Sequence, residues 1–351
     1  MRLIIGLCKI NTQATQYLSA ASRVEIVRTA VEKTRHFTET LGTAFWKDVS
    51  AMRAIFLAPE YCFARSLANL QGDHTFGTKR QMEEDYVRDK LRPVFGALSN
   101  NFKNALIVPG TVAWRKSIVP SDKGQHASMQ AREAYRRNKY QQRVQAGASV
   151  NLDENTPFTQ HTPVFPPAYK SPLDTRGAIP STADKSNWLQ TAHYIAKNTA
   201  HCYYNGNCVY KYNKIGDFYE VSEDTADTVM VPNKSTVSGT TGPAGRFTLA
   251  GFSFGISICY DQSLSVQKQG NVTVREPIQW TSGPVDIHIL LSAHITPDLY
   301  CNNLNQDGVL LSCSSQDECN KVLLSSGDEA PPDKTEDING VKLDLYVLES
   351  S

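Results

Sequence analysis

The stretch "GFSFGISICYDQS", residues 251–263, decides how this chain is read. Phe252, Phe254, Ile256 and Ile258 alternate with the small residues Ser253, Gly255 and Ser257, and this period of two predicts a buried strand. Cys259 stands at its end, followed by Tyr260 and Asp261. A cysteine closing an apolar strand is either an inert core thiol or a nucleophile held out at a strand end. Its surroundings have to decide between them.

Downstream, "VDIHILLSAHI" (285–295), "DGVLLSCSS" (307–315) and "VKLDLYVLES" (341–350) read as further buried strands, with an acidic, Pro-containing loop between the last two. At the other end of the chain, "RLIIGL" (2–7) reads as a first strand. "SRVEIVRTAVEKTRHFTETL" (22–41) follows, with a helical stripe at Val24, Ile26, Val27, Ala30 and Val31. "RAIFLAPEYCF" (53–63) is a strand stopped by Pro59. A helix over "MEEDYVRDKLRPVFGALSNNF" (82–102) leads to the strand "NALIVPGTVAW" (104–114). This alternation is the signature of a layered α/β domain. "NTAHCYYNGNCVYKYNKIGDFYEV" (198–221) reads as two strands joined at Asn205–Gly206, a hairpin dipeptide. The glycines of "VSGTTGPAGRF" (237–247) match no phosphate-loop spacing and are turn chemistry.

Between about 116 and 193 the texture changes. "SMQAREAYRRNKYQQRVQAG" (128–147) is a basic, helical run, read as a solvated face. "TPFTQHTPVFPPAYKSPLDTRGAIPSTADKS" (156–186) has no periodicity, as expected of a functional loop or a disordered insert. The chain is therefore expected to be one domain over 1–351 carrying an insertion at 116–193, partly loop. Its 351 residues should bury roughly three quarters of their unfolded surface.

A hydrophobic fraction of 40%, a charged fraction of 20% and a net charge of +1 fit a soluble globular protein. They argue against nucleic acid or an anionic membrane as an electrostatic partner. With no membrane-length apolar run and no secretory signal, the expected location is cytoplasmic, although secretion without a signal would leave no trace here. The 8 cysteines are scattered and expected to be reduced. The spacing of Cys202 with Cys208, and of Cys313 with Cys319, is not that of a zinc knuckle, so neither metal nor cofactor is expected.

Three chemically active side chains stand at strand ends, where α/β folds gather ligand sites. They are Glu60 after "IFLAP", Lys214 in "KYNKIG" and Cys259 after "FSFGISI". Taken singly, each has an ordinary reading: a solvated turn glutamate, a solvated hairpin lysine, a packed thiol. In order, "FLAPEYCF", "KYNKIG" and "GISICYD" resemble the three motifs of the nitrilase, or carbon–nitrogen hydrolase, superfamily. "IVPGTVAW", "NTAHCYYNGNCVYKYNK" and "VDIHILLSAH" resemble its neighbouring segments, so the resemblance covers nearly the whole chain outside 116–193.

The resemblance implies an αββα four-layer sandwich. It implies that Cys259 attacks a carbonyl or nitrile carbon and that Glu60 is the general base. Lys214, with the backbone N–H of Tyr260, would face the developing oxyanion. A buried carboxyl favours its proton and an ammonium beside it favours the carboxylate, so the pair is coherent as a base. A second family glutamate would fall at Glu220 or Glu223, with Glu223 slightly preferred. Tyr61, Trp114 and His294 stand beside matched motifs as candidate pocket residues, each equally readable as packing. Asp261 is expected to be a structural hydrogen-bonding residue.

"CYD" looks more like the amidase branches than the nitrile-hydrolysing ones. The implied substrate is a small-molecule amide or a protein side-chain amide, and a homodimer is an open expectation. After "ICYD" the chain runs "QSLSVQKQG" where many amidase-like members have Arg-Phe-Pro-Glu. The family's later Arg-Ala-Glu-Asn helix has no clear counterpart in "TPDLYCNNLNQDG". Two rival readings stay open at this point. One is a binding or adaptor protein acting through the insertion; the other is a Cys–His hydrolase using His288 or His294.

Overall fold

A computed structural model describes residues 2–12, 19–42, 45–46, 51–66, 79–80, 82–83, 86–117, 194–214, 228–230, 245–262, 266–269, 272–275, 283–297, 299 and 303–349. Nearly all of the insertion expected at 116–193 lies outside these residues, as do Glu220 and Glu223.

Two mixed sheets stack face to face. The first holds β1 (Arg2–Lys9), β2 (Ala54–Leu57), β3 (Ala105–Val108), β4 (Thr111–Ser117), β5 (Tyr194–Tyr204) and β6 (Asn207–Asn213). The second holds β7 (Arg246–Leu249), β8 (Phe252–Ile258), β9 (Val285–Ser292), β10 (Leu304–Ser314) and β11 (Lys321–Leu324). The chain then returns to the first sheet as the hairpin β12 (Lys334–Ile338) and β13 (Val341–Glu349), with β13 antiparallel to β1. β1, β2 and β3 run parallel to one another, as do β8, β9 and β10.

The central strands β1, β2 and β3 of the first sheet are apolar on both faces, as strands covered on both sides require. Ile4, Cys8, Phe56 and Ile107 meet Val24, Val27 and Val31 of helix α1 (Ala20–Thr40). Leu3, Ile5, Leu7, Ile55, Leu57 and Leu106 point the other way, onto Phe254, Ile256, Ile258, Ile289, Leu291 and Leu311 of the second sheet. Helix α1 is capped by Ser19, whose side chain accepts from the Ser22 N–H. It presses so closely on β1 that a Cβ at Gly6 would stand 2.5 Å from Thr34 Oγ1. Helix α2 (Arg92–Asn101) continues a π-helical turn over Val87–Leu91 and lies on the same face.

Among the described residues the layers are thus helix, sheet, sheet. Among the described residues no α-helix covers the outer face of the second sheet, where Leu290, Leu310 and Leu323 pack with Leu299 and Leu304. Three local expectations change. The single strand expected over 104–114 is two, β3 and β4, parted at Pro109 and Gly110. The helix expected from Met82 does not begin there, because Met82–Glu83 pairs with β4 as a short strand; the described helical residues run from Tyr86. The acidic loop expected before the last strand contains β11 and β12, the latter an exposed edge strand whose polar and charged residues hide its pairing. No helix among the described residues is long and apolar enough to cross a membrane.

Candidate active site

Three chain segments meet at one end of the inter-sheet space. The turn after β2 is held from both sides. The Ala58 N–H donates to the Val108 carbonyl, and the Glu60 N–H donates to the Ser292 carbonyl at 3.3 Å. The Tyr61 N–H donates to Thr111 Oγ1 at 2.8 Å, and Arg23 Nη1 donates to the Cys62 carbonyl at 3.2 Å. The turn can sit this close to the start of β4 because residue 110 is glycine. Its φ is +91°, and a Cβ there would fall 2.5 Å from Cys62 Cβ and 2.6 Å from the Pro59 carbonyl oxygen.

Glu60 is fully buried. Its Oε1 accepts from Lys214 Nζ at 2.8 Å and from Asn198 Nδ2 at 2.9 Å. Both side chains of the Glu60–Lys214 ion pair are fully shielded from solvent. Asn198 holds both partners, since its backbone carbonyl accepts from the Lys214 N–H at 2.8 Å. The Lys214 ammonium also lies 5.6 Å from the centre of the Tyr61 ring.

Cys259 enters from the second sheet. Ile258 of β8 pairs with Leu291 of β9, so one step further along both strands sets Cys259 beside Ser292. Ser292 is the residue whose carbonyl receives the Glu60 N–H. Cys259 is fully buried, with a φ of 49° at the break between strand and 3-10 turn Cys259–Asp261. Six described residues other than glycine have positive φ; three are asparagines, which tolerate it. Of the other three, Tyr61 and Cys259 both belong to this site. Strain of this kind costs about 1–3 kcal/mol per residue and gathers at functional sites. The turn is fastened by Asp261, whose Oδ2 accepts from Tyr212 Oη at 2.6 Å and from the Ile258 N–H at 3.4 Å. Burial, and then the charge of Asp261, raise the Tyr212 hydroxyl well above the ordinary tyrosine range, so it stays protonated and donates.

The other candidates fall in different places. Tyr61 is buried against Lys214. His294 is half-buried, two residues beyond Ser292. For Tyr260 only the backbone is described. Trp114 is not brought in: with Val112 it packs on the helix side of the first sheet, and its Nε1 donates to Thr199 Oγ1 at 2.8 Å. Asn198 lies one residue along from Thr199 and so faces the second sheet. His288 sits on the outer face of the second sheet, 2.9 Å from Ser257 Oγ, while Cys259 packs in the inter-sheet core, so a pairing of the two is not built. Asn198, Thr111 and Tyr212 were not singled out from sequence, although Asn198 opens the "NTA" segment that carried part of the resemblance. No group of three or more ligating side chains suited to a metal occurs among the described residues.

Solved structures similar to the chain over nearly its whole length include an amidase described as of the nitrilase superfamily and a protein described as of the CN-hydrolase superfamily. An amidase from Nesterenkonia AN1, in a mutant form, is 8% identical, with 99% of this chain and 90% of that one covered and a TM-score of 0.40. A CN-hydrolase superfamily protein from Xanthomonas campestris, with an arsenic adduct in its active site, is 9% identical, with 100% and 91% covered and a TM-score of 0.43. No protein-family model matches the chain, and no curated protein matches it in sequence.

Proposed function

We propose that the protein is a thiol-dependent hydrolase of a non-peptide carbon–nitrogen bond, an amide in a small molecule or a protein side chain. The observation that carries this reading is a fully buried Glu60–Lys214 ion pair whose glutamate backbone is bonded to the residue beside Cys259. A buried ion pair is costly to desolvate and is weak evidence for stability. Beside a thiol in a positive-φ turn at a strand end, it is well suited to chemistry.

In this reading Cys259 Sγ forms a bond to the amide carbon, the carbonyl π pair moves onto oxygen, and Glu60 takes the thiol proton. The Lys214 ammonium and the Tyr260 backbone N–H face the oxyanion. As the tetrahedral intermediate collapses, the carbon–nitrogen bond breaks and Glu60 returns the proton to the departing amine. Water then attacks the thioester, Glu60 takes a proton from it, and the acid leaves as the thiol is restored.

The test needs no substrate. Alkylation of each cysteine by iodoacetamide across pH, read by peptide mass spectrometry, should find Cys259 reacting faster than the other seven thiols. That advantage should fall in Glu60→Gln, and screening an amide library for amine release then follows. A Cys259 that is slow and indifferent to Glu60→Gln would remove the basis for the reading.

A further inference from the structure

A second cluster lies on the opposite, helix-side face of the first sheet. Tyr203 of β5 packs there, and its ring stacks on that of His201 with centroids 6.4 Å apart. His201 stands directly across from Lys211 of β6 in the antiparallel register, so the two side chains share a face. Arg92 opens helix α2, which lies over this hairpin through Phe95 on Tyr203 and through Ser99 Oγ, which accepts from the Gly206 N–H.

Arg92 and Lys211 bring positive charge together here without a counter-charge. The Lys211 ammonium is lowered by partial desolvation and then by the charge of Arg92. Among the described residues, no carboxylate is felt by His201, Tyr203 or Lys211. Asp89, one turn before Arg92, is already held by Arg88 through two hydrogen bonds. Two buried polar atoms have no hydrogen-bond partner, Arg92 Nε and the Tyr203 hydroxyl. The Arg92 side chain is close enough to act on that hydroxyl through its charge and as a weak donor, although no hydrogen bond of ordinary geometry forms.

Buried donors without partners cost free energy, and a guanidinium cannot relieve crowding by losing its proton. An oxyanion would correct both faults at once, since the guanidinium fork matches phosphate and the phenol and ammonium supply further donors. We propose that Arg92, Lys211, His201 and the Tyr203 hydroxyl form a phosphate-binding site, separate from the Cys259 site, that takes inorganic phosphate or a small phosphomonoester. His201, Tyr203 and Lys211 lie on the two strands that also carry Asn198 and Lys214, so a bound anion would stiffen the hairpin that serves the other site.

Isothermal titration of the full chain with inorganic phosphate, against chloride at matched ionic strength, tests this. Saturable binding is expected, weakened about tenfold or more in Arg92→Gln and in Lys211→Gln, weakened in Tyr203→Phe and unchanged in Cys259→Ser. Lys211 is exposed, so its variant keeps the test available if Arg92→Gln folds poorly. Titration with glycerol phosphate as a second arm distinguishes the two sources, since tighter binding than inorganic phosphate assigns the site to phosphomonoesters. Absence of saturable binding for both ligands, or binding untouched by Arg92→Gln and Lys211→Gln, overturns the proposal.

Discussion

At the scale of the residue, Asn198 is the side chain on which the candidate site turns. It bonds the Glu60 carboxylate and anchors the Lys214 backbone, so one substitution loosens both. Asn198→Ala should cost about 1.5–3 kcal/mol of stability for a lost hydrogen bond to a buried charge, read by urea unfolding. In the same variant, alkylation of Cys259 should slow while that of half-buried Cys208 stays unchanged, which general loosening would not produce. His201 gives a second prediction. Burial, then the charges of Lys211 and Arg92, push it down from 6.5 to about 3. The unfolded chain therefore binds a proton in a range where the folded one does not. Stability is full above about pH 6.5 and falls with pH towards the folded value, by up to about 1.4 kcal/mol per pH unit. Chemical unfolding followed from neutral to acid pH should show that slope, and His201→Gln should flatten it.

At the scale of the element, the turn between β2 and the start of β4 depends on Gly110. Gly110→Ala adds strain at φ +91° and a Cβ 2.5 Å from that of Cys62. Gly251 is a matched control, with φ +86° and nothing within 4 Å of its Cβ. Both variants should lose about 1–3 kcal/mol from strain, measured by thermal unfolding. Only Gly110→Ala should lose more and also slow Cys259 alkylation, because only there does the added carbon push on the Glu60 turn. The strands behind these turns were readable from sequence because the central strands of the first sheet are apolar on both faces and period two survives in β8. Glu60, Lys214 and Cys259 stood out because strands end there. Trp114 and Asn198 show what proximity in sequence misses: a residue's face on a strand is set by parity. Trp114 shares parity with Val112 and goes to the helices, while Asn198 shares it with Ala200 and goes to the other sheet. β12 escaped notice because an exposed edge strand has no apolar face to announce it.

At the scale of the whole molecule, the ends of the long insertion are neighbours. Ser117, the last residue of β4, pairs with Tyr194, the first of β5, so the described sheet closes on itself as a hairpin would. Replacing 118–193 by a short Gly-Asn turn should therefore leave the two sheets folded, with circular dichroism and cooperative melting retained. Collapse of the shortened chain would mean that the insertion supplies core. A second consequence follows from how far apart in the sequence the site's contacts begin. Lys214 bonds Glu60 across 154 positions, Asn198 reaches it across 138, and Tyr212 meets Asp261 across 49. Such closures come late in folding, since the chain entropy they cost is recovered only when both sheets have docked. A chain released half-finished would carry an ordinary thiol, and the speed of Cys259 would serve as a clock for completed folding.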